Sequence, residues 1–176
     1  MGFLRKLFGI EVTTDVLELL ASQHQEVDAL FEAIEQGKGN RRVLFTELAD
    51  KLAAHATVEE KLFYPAVMAK DTGDLLQESV EEHLSIKRVL ADLIAMSVDD
   101  DQFLAKLKVL KEQVSHHAHK EEEQKLFPKV KSMMSLDERA ALGNELLVMF
   151  EELMTSHPYK NVPAETDAAA PLPPPR

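Results

Sequence analysis

"HATVEEKLFYP", residues 55–65, places a histidine one helical turn ahead of a glutamate and then ends on an aromatic residue and a proline. Four apart, His55 and Glu59 share one face of a helix. The same face is apolar before and after them, with Leu48 and Leu52 leading in and Leu62 and Phe63 leading out. A helix patterned in this way turns that face inward, and the imidazole and carboxylate go with it. The same order of residues returns in "HHAHKEEEQKLFP", residues 116–128.

Outside these stretches helical periodicity runs through most of the chain and strand signals are almost absent. The first helix is expected from about Asp15, capped by Thr13 or Thr14, to about Gln36, where "QGKGN" breaks it. The second covers roughly Arg41 to Ala69 and the third roughly Thr72 to Ser97, separated by "KDTGD". The fourth starts near "SVDDD" and runs to about Met133; a fifth, Leu136 to about Thr155, opens on the capping signature "SLDE". Long helices joined by short polar breaks predict an all-α fold, an up-down-up-down four-helix bundle with an additional C-terminal helix. Residues 14–156 form this domain, 1–13 a short lead, and 157–176 a mobile Pro/Ala-rich tail.

Such bundles hold metal or cofactor sites on inward-facing side chains. His24 falls in the stripe of Leu20, Val27, Phe31 and Ile34, and His83 in that of Leu76, Val80, Ile86 and Leu90. In the fourth helix Leu107, Leu110 and Val114 lead to His117 and Glu121. One core histidine is usually a satisfied structural residue. Four of them with two carboxylates at one level would cost several kcal/mol per unpaired charge. Bound cations compensate all of them together, and this donor set suits iron, manganese or zinc.

Length and composition agree with a single soluble domain: 176 residues, 45% hydrophobic and 29% charged. With 31 acidic against 20 basic residues the net charge is −11, which disfavours nucleic acid and anionic membrane as partners. The absence of cysteine excludes disulfide frameworks, thiolate zinc sites and iron–sulfur clusters. No apolar run reaches transmembrane length and "MGFLRKLFGIE" is too short and charged for a secretory core, so a cytoplasmic location is expected. Phe3, Leu4, Leu7 and Phe8 beside Arg5 and Lys6 make an amphipathic turn, either packing on the domain or contacting a membrane or protein partner through residues 3–10.

"TELADKLAAHATVEEKLFYPA", lone histidines in the first and third helices, and "VLKEQV" followed by "HHAHKEEEQKLFPKV" together resemble the hemerythrin-like HHE cation-binding domain family over roughly residues 14–155. The resemblance implies two non-haem iron ions with an oxo, hydroxo or water bridge, Zn or Mn being the substitutes. It implies His24, His55, His83 and His117 as nitrogen ligands and Glu59 and Glu121 as bridging carboxylates. Two features depart from it. The oxygen-carrying members have a histidine four residues after the third-helix ligand, where this chain has Lys87, so an open position, a water or another side chain must take that place. The fourth-helix register is also divided. Upstream residues select His117 and Glu121; counting from Leu126 and Phe127 selects His119 and Glu123; counting from Pro128 selects Glu122. A π-bulge would reconcile these registers. His116 and His119 then lie at the rim or face water, and His157 faces solvent.

The function expected is that of a metal-binding protein whose di-iron centre binds or reacts with O2, NO or peroxide, in sensing, scavenging or iron handling. The competing reading is a regulatory protein-interaction module in which metal only supports the fold. No substrate pocket is legible, so a dedicated enzymatic role is not assigned.

Overall fold

The chain reverses first at Gly37 and Gly39, whose φ values of 65° and 93° lie in the left-handed region that glycine adopts without strain. This turn joins α1 (Val16–Glu35) to α2 (Arg41–Val58), which Asn40 caps by accepting from Val43 N at 3.1 Å. In the computed structural model described here, the structure describes residues 14–176 and a backbone pairing of Lys6–Leu7 with Ile10–Glu11. The other N-terminal residues, and with them the expected amphipathic face of Phe3, Leu4 and Phe8, lie outside the described residues.

Asp15, and not Thr13 or Thr14, caps α1: its carboxylate accepts from Leu17 N at 2.9 Å. Its second oxygen pairs with Arg139 at 2.9 Å, so one side chain both starts α1 and anchors the last helix. After α2 the helix widens into a π-helical turn, Glu59–Phe63, and returns as α3, Tyr64–Val67. Thr72 closes the next turn, taking Ala69 N and giving its hydroxyl to Val67 O. The third rod is α4, Gly73–Ala95. The fourth begins as α5 (Phe103–Ser115), after the acidic loop in which Asp100 accepts from Gln102 N. It continues through a long π segment, His116–Leu126, into α6 (Phe127–Met133). The last helix, α7 (Leu136–Met154), carries the full capping box of Ser135 and Glu138.

α1 packs on α2 and α5, and α4 on α2 and α5, the neighbourhoods of an up-down-up-down bundle; α7 lies across α1 and α2. Two apolar clusters fill it. One is built around Phe31, Phe45, Phe103 and Leu110, the other around Leu20, Phe63, Val67 and Val130. Between them runs a polar belt containing all four inward histidines.

α7 approaches closely where it crosses the start of α1. A Cβ at Gly143 would collide with the backbone oxygen of Thr14 and lie 2.9 Å from Val16 N. Backbone cannot give way as a side chain can, so Gly143→Ala is expected to cost about 1–3 kcal/mol. Thermal unfolding should register this as a clear fall in Tm.

The C-terminal segment departs from expectation. Pro158–Glu165 forms a 3-10 helix against α2 and α4, with Val162 buried among the core residues. Composition missed this because one well-placed valine and backbone contacts, not an apolar stripe, hold the segment down. Its entry point is His157, at a left-handed φ of 54°, whose Nδ1 donates to the buried Asp50 carboxylate at 2.9 Å. The ring is thus paired although it remains largely exposed.

Candidate metal centre

His24 on α1, His55 on α2, His83 on α4 and His117 at the head of the π segment all turn their Nε2 atoms to one point in the polar belt. Glu59 opens the first π turn and Glu122 lies within the second, and both are fully buried. These six side chains make two half-sites. In the first, His24 Nε2 lies 3.2 Å from His55 Nε2 and 3.2 Å from Glu122 Oε2, while His55 Nε2 lies 3.2 Å from Glu59 Oε1. In the second, His83 Nε2 lies 3.0 Å from His117 Nε2 and 3.2 Å from Glu59 Oε2, and His117 Nε2 lies 3.7 Å from Glu122 Oε1. Each carboxylate therefore offers one oxygen to each half-site.

These spacings fit a shared ion. Donors about 2.1 Å from a cation, at right angles to one another, lie about 3.0 Å apart. Glu59 Oε1 and Glu122 Oε2, both in the first half-site, have no hydrogen-bond donor although they are buried. Orphaned buried carboxylate oxygens are costly, and a cation between them and the imidazoles satisfies them.

The outer side of every ring is equally ordered. His24 Nδ1 donates to Glu123 at 2.6 Å, His55 Nδ1 to Gln23 at 2.7 Å, His83 Nδ1 to Glu60 at 2.9 Å and His117 Nδ1 to Glu82 at 2.7 Å. Carboxylate and amide oxygens only accept, so each Nδ1 carries a proton and each Nε2 is left to face the centre. This tautomer is the one a metal ligand needs.

Burial opposes charge on His24, but the hydrogen bond and charge of Glu122 and the charge of Glu59 outweigh it and lift its pKa to about 9. Burial likewise opposes charge on His83, and the bonds from Glu59 and Glu60 lift it to about 10. For Glu59 burial favours the neutral acid, yet His55 and His83 hold it well below its ordinary value. Burial and the charges of Glu122 and Glu59 push the Tyr64 phenol well above its usual range.

Of the residues singled out in sequence, His24, His55, Glu59, His83 and His117 come together. Glu121 does not. Its carboxylate is buried, yet it pairs with the more exposed Lys125 at 2.7 Å and His116 at 3.4 Å and not with the four inward histidines. Glu122 stands in its place because the i→i+5 hydrogen bonding of the π segment brings residue 122 beneath residue 117. The nitrogen thus follows the register set upstream and the carboxylate the one set by Pro128. His119 is at the rim, donating towards Glu123 and Asp28, and His116 is more exposed still. Lys87 points away from the centre to Glu60 at 2.9 Å and Glu165 at 3.0 Å.

The residue that sequence reasoning passed over is Tyr64. Its hydroxyl lies 3.2 Å from His83 Nε2, 3.3 Å from His117 Nε2, 2.9 Å from Glu122 Oε1 and 3.4 Å from Glu59 Oε2. Phe127 holds the matching place before Pro128 and stacks on His24, its ring centre 6.2 Å away. A comparison of "LFYP" with "KLFP" carried this signal: the residue before each proline is a phenol in one repeat and a phenyl in the other.

A cavity of about 30 Å3 adjoins the four imidazoles, walled by Val27, Leu52, Ala56, Ile86 and Val114. Among the described residues no helix is long and apolar enough to cross a membrane.

The family model described as the hemerythrin HHE cation binding domain matches residues 15–130. A crystal structure of a hemerythrin HHE cation-binding domain-containing protein from Mycobacterium kansasii superposes with a TM-score of 0.71 at 24% identity, covering 84% of this chain and 91% of that one. A curated protein of Nostoc sp. (strain PCC 7120), described as a DNA nickase, is 25% identical over 133 residues. That match takes in 74% of this chain but only 38% of the Nostoc protein.

Proposed function

Because the chain belongs to the hemerythrin HHE cation-binding domain family, and such a domain implies a bound metal ion, we propose that it holds two non-haem iron ions and uses them to bind or react with O2, NO or peroxide. In this reading His24 and His55 hold one ion, His83 and His117 the other, and Glu59 and Glu122 bridge them. Glu122 replaces Glu121 in the ligand set first expected. The observation that carries the proposal is the pair of buried carboxylates, each directing one oxygen to each histidine pair.

Bound iron supplies one-electron and diatomic chemistry that side chains alone lack. The chain's own residues supply the rest. Gln23, Glu60, Glu82 and Glu123 orient the four rings through their Nδ1 protons. Tyr64, whose hydroxyl lies 3.2 Å from His83 Nε2 and 3.3 Å from His117 Nε2, would offer a phenol oxygen to the second position. Phe127, stacked on His24, would offer none to the first. The walls beside the imidazoles are apolar, and the cavity of about 30 Å3 has room for about two waters or one diatomic. The nickase description belongs to a longer relative, and a net charge of −11 opposes duplex binding by this chain.

Anaerobic Fe(II) loading followed by air is expected to give two irons per chain and near-ultraviolet oxo-bridge absorption. One colourless zinc per chain with a featureless spectrum would support the structural-metal alternative instead. Tyr64→Phe is expected to keep both irons but lose any visible phenolate-to-iron absorption, read by comparing the two ferric spectra.

A further inference from the structure

We propose that Lys87 and Glu165 are positioning residues of the metal centre, and that the C-terminal segment, through Glu165, Lys87 and Glu60, fixes the His83 ring at the second metal position. The inference rests on the two-ion reading above. Lys87 follows His83 by one turn of α4 and is buried, a placement a charged ammonium tolerates only with partners. It has two, from opposite sides: Glu60 Oε2 at 2.9 Å and Glu165 Oε2 at 3.0 Å. The other oxygen of Glu60 accepts from His83 Nδ1 at 2.9 Å. Each link thus sets the orientation of the next, from the 3-10 helix to the ring.

Glu165 is held in place by contacts that do not involve the centre. Upstream, His157 Nδ1 and Tyr159 N both donate to Asp50, and Val162 is buried. Downstream, Arg88 donates to the carbonyls of Thr166 and Asp167, and Leu172 packs on the second apolar cluster. Among the described residues the first half-site has no such tie: His24 and His55 are oriented by Glu123 and Gln23, which lie on helices of the bundle. The C-terminal segment therefore acts on one metal position and not on the other.

The test is anaerobic titration of the metal-free full chain with Co(II), whose visible absorption reports each ion as it binds, followed by ferric spectra of iron-loaded protein. Lys87→Met is expected to weaken one of the two ions by about 10- to 100-fold and leave the other unchanged, the range typical of groups that orient metal ligands. Glu165→Gln should shift the same ion less, and Lys87→Arg should restore it. The Tyr64-to-iron absorption, at the same position, should weaken with Lys87→Met. A merely structural role would lower both affinities together, or neither, and leave that absorption unmoved. Two ions bound by the Glu165→Gln and Lys87→Met proteins as by wild type would overturn the proposal. A wild-type chain that takes up no Co(II) would overturn the two-ion reading itself.

Discussion

Glu122→Ala is expected to abolish tight binding at both metal positions, while Glu121→Ala leaves both intact. The adjacent residues differ in what their carboxylates face. Glu122 is fully buried, with one oxygen 3.2 Å from His24 Nε2 and the other 2.9 Å from the Tyr64 hydroxyl. Glu121 pairs with the half-exposed Lys125. Losing a bridging ligand should weaken the metals by more than the roughly 100-fold upper range of an orienting group. Losing an ion pair whose lysine is half-exposed and which does not touch the four histidines should change affinity by no more than about twofold. Isothermal titration of the two metal-free variants, with circular dichroism to verify the fold, separates the cases. Equal losses from both variants would mean that the π segment does not set the register described here.

The second large effect is a pH dependence of opposite sign in the metal-free and metal-loaded chain. His24 and His83, raised to about 9 and about 10, carry protons on their metal-facing nitrogens at neutral pH when no ion is bound. Each ion must displace the proton of the histidine at its own position, so each affinity is expected to rise about tenfold per pH unit, and binding of the pair about a hundredfold, up to about pH 9. In the metal-free chain the folded pKa of each histidine lies above the unfolded value of 6.5. Its stabilisation is complete below that value and is lost as pH rises through about 9 and then about 10. Glu59, held below its ordinary 4.5, stabilises above that value and loses its contribution as pH falls through its own lower one. Metal-free protein should therefore melt highest in mildly acidic solution, and the gain in Tm from metal should grow with pH. Thermal melts of both forms between pH 5 and 10 measure this directly. A gain that shrinks with rising pH would contradict it.

Much of the fold was legible because helix geometry repeats. The threes and fours that bury Leu20, Val27 and Phe31 also bury His24, and the same spacing carries His55, His83 and His117 inward. The capping box of Ser135 and Glu138 and the break at Gly37 and Gly39 were readable for the same local reasons. The site was less legible wherever regular spacing failed. Residues 116–126 hydrogen-bond five apart, so a reading at α-helical spacing placed Glu121 where Glu122 stands. The conflict between the Leu110–Val114 register and that of Pro128 did mark the irregularity, without saying which residue from each register would meet. Tyr64 was hidden because a tyrosine before proline also serves as an ordinary helix end. All four ring-orienting acceptors come from a helix other than their histidine's, as Gln23 does for His55 and Glu82 for His117. No spacing within one helix reveals such pairs.

Composition likewise undervalued the C-terminal segment. "NVPAETDAAAPLPPPR" has too few apolar residues for a core, but Val162, Glu165 and the carbonyls of Thr166 and Asp167 each meet a partner already placed by the bundle. A segment without a stripe can still be held by single contacts when the surface beneath it is complementary.

The central claim is that Glu59 and Glu122 each serve two ions. Anomalous diffraction from crystals of the iron-loaded protein tests it most directly. Two iron peaks are predicted, one among His24, His55, Glu59 and Glu122 and one among His83, His117 and the other oxygens of Glu59 and Glu122, beside Tyr64. A single peak at the surface, or none in the polar belt with the four imidazoles bonded only to protein, would contradict it.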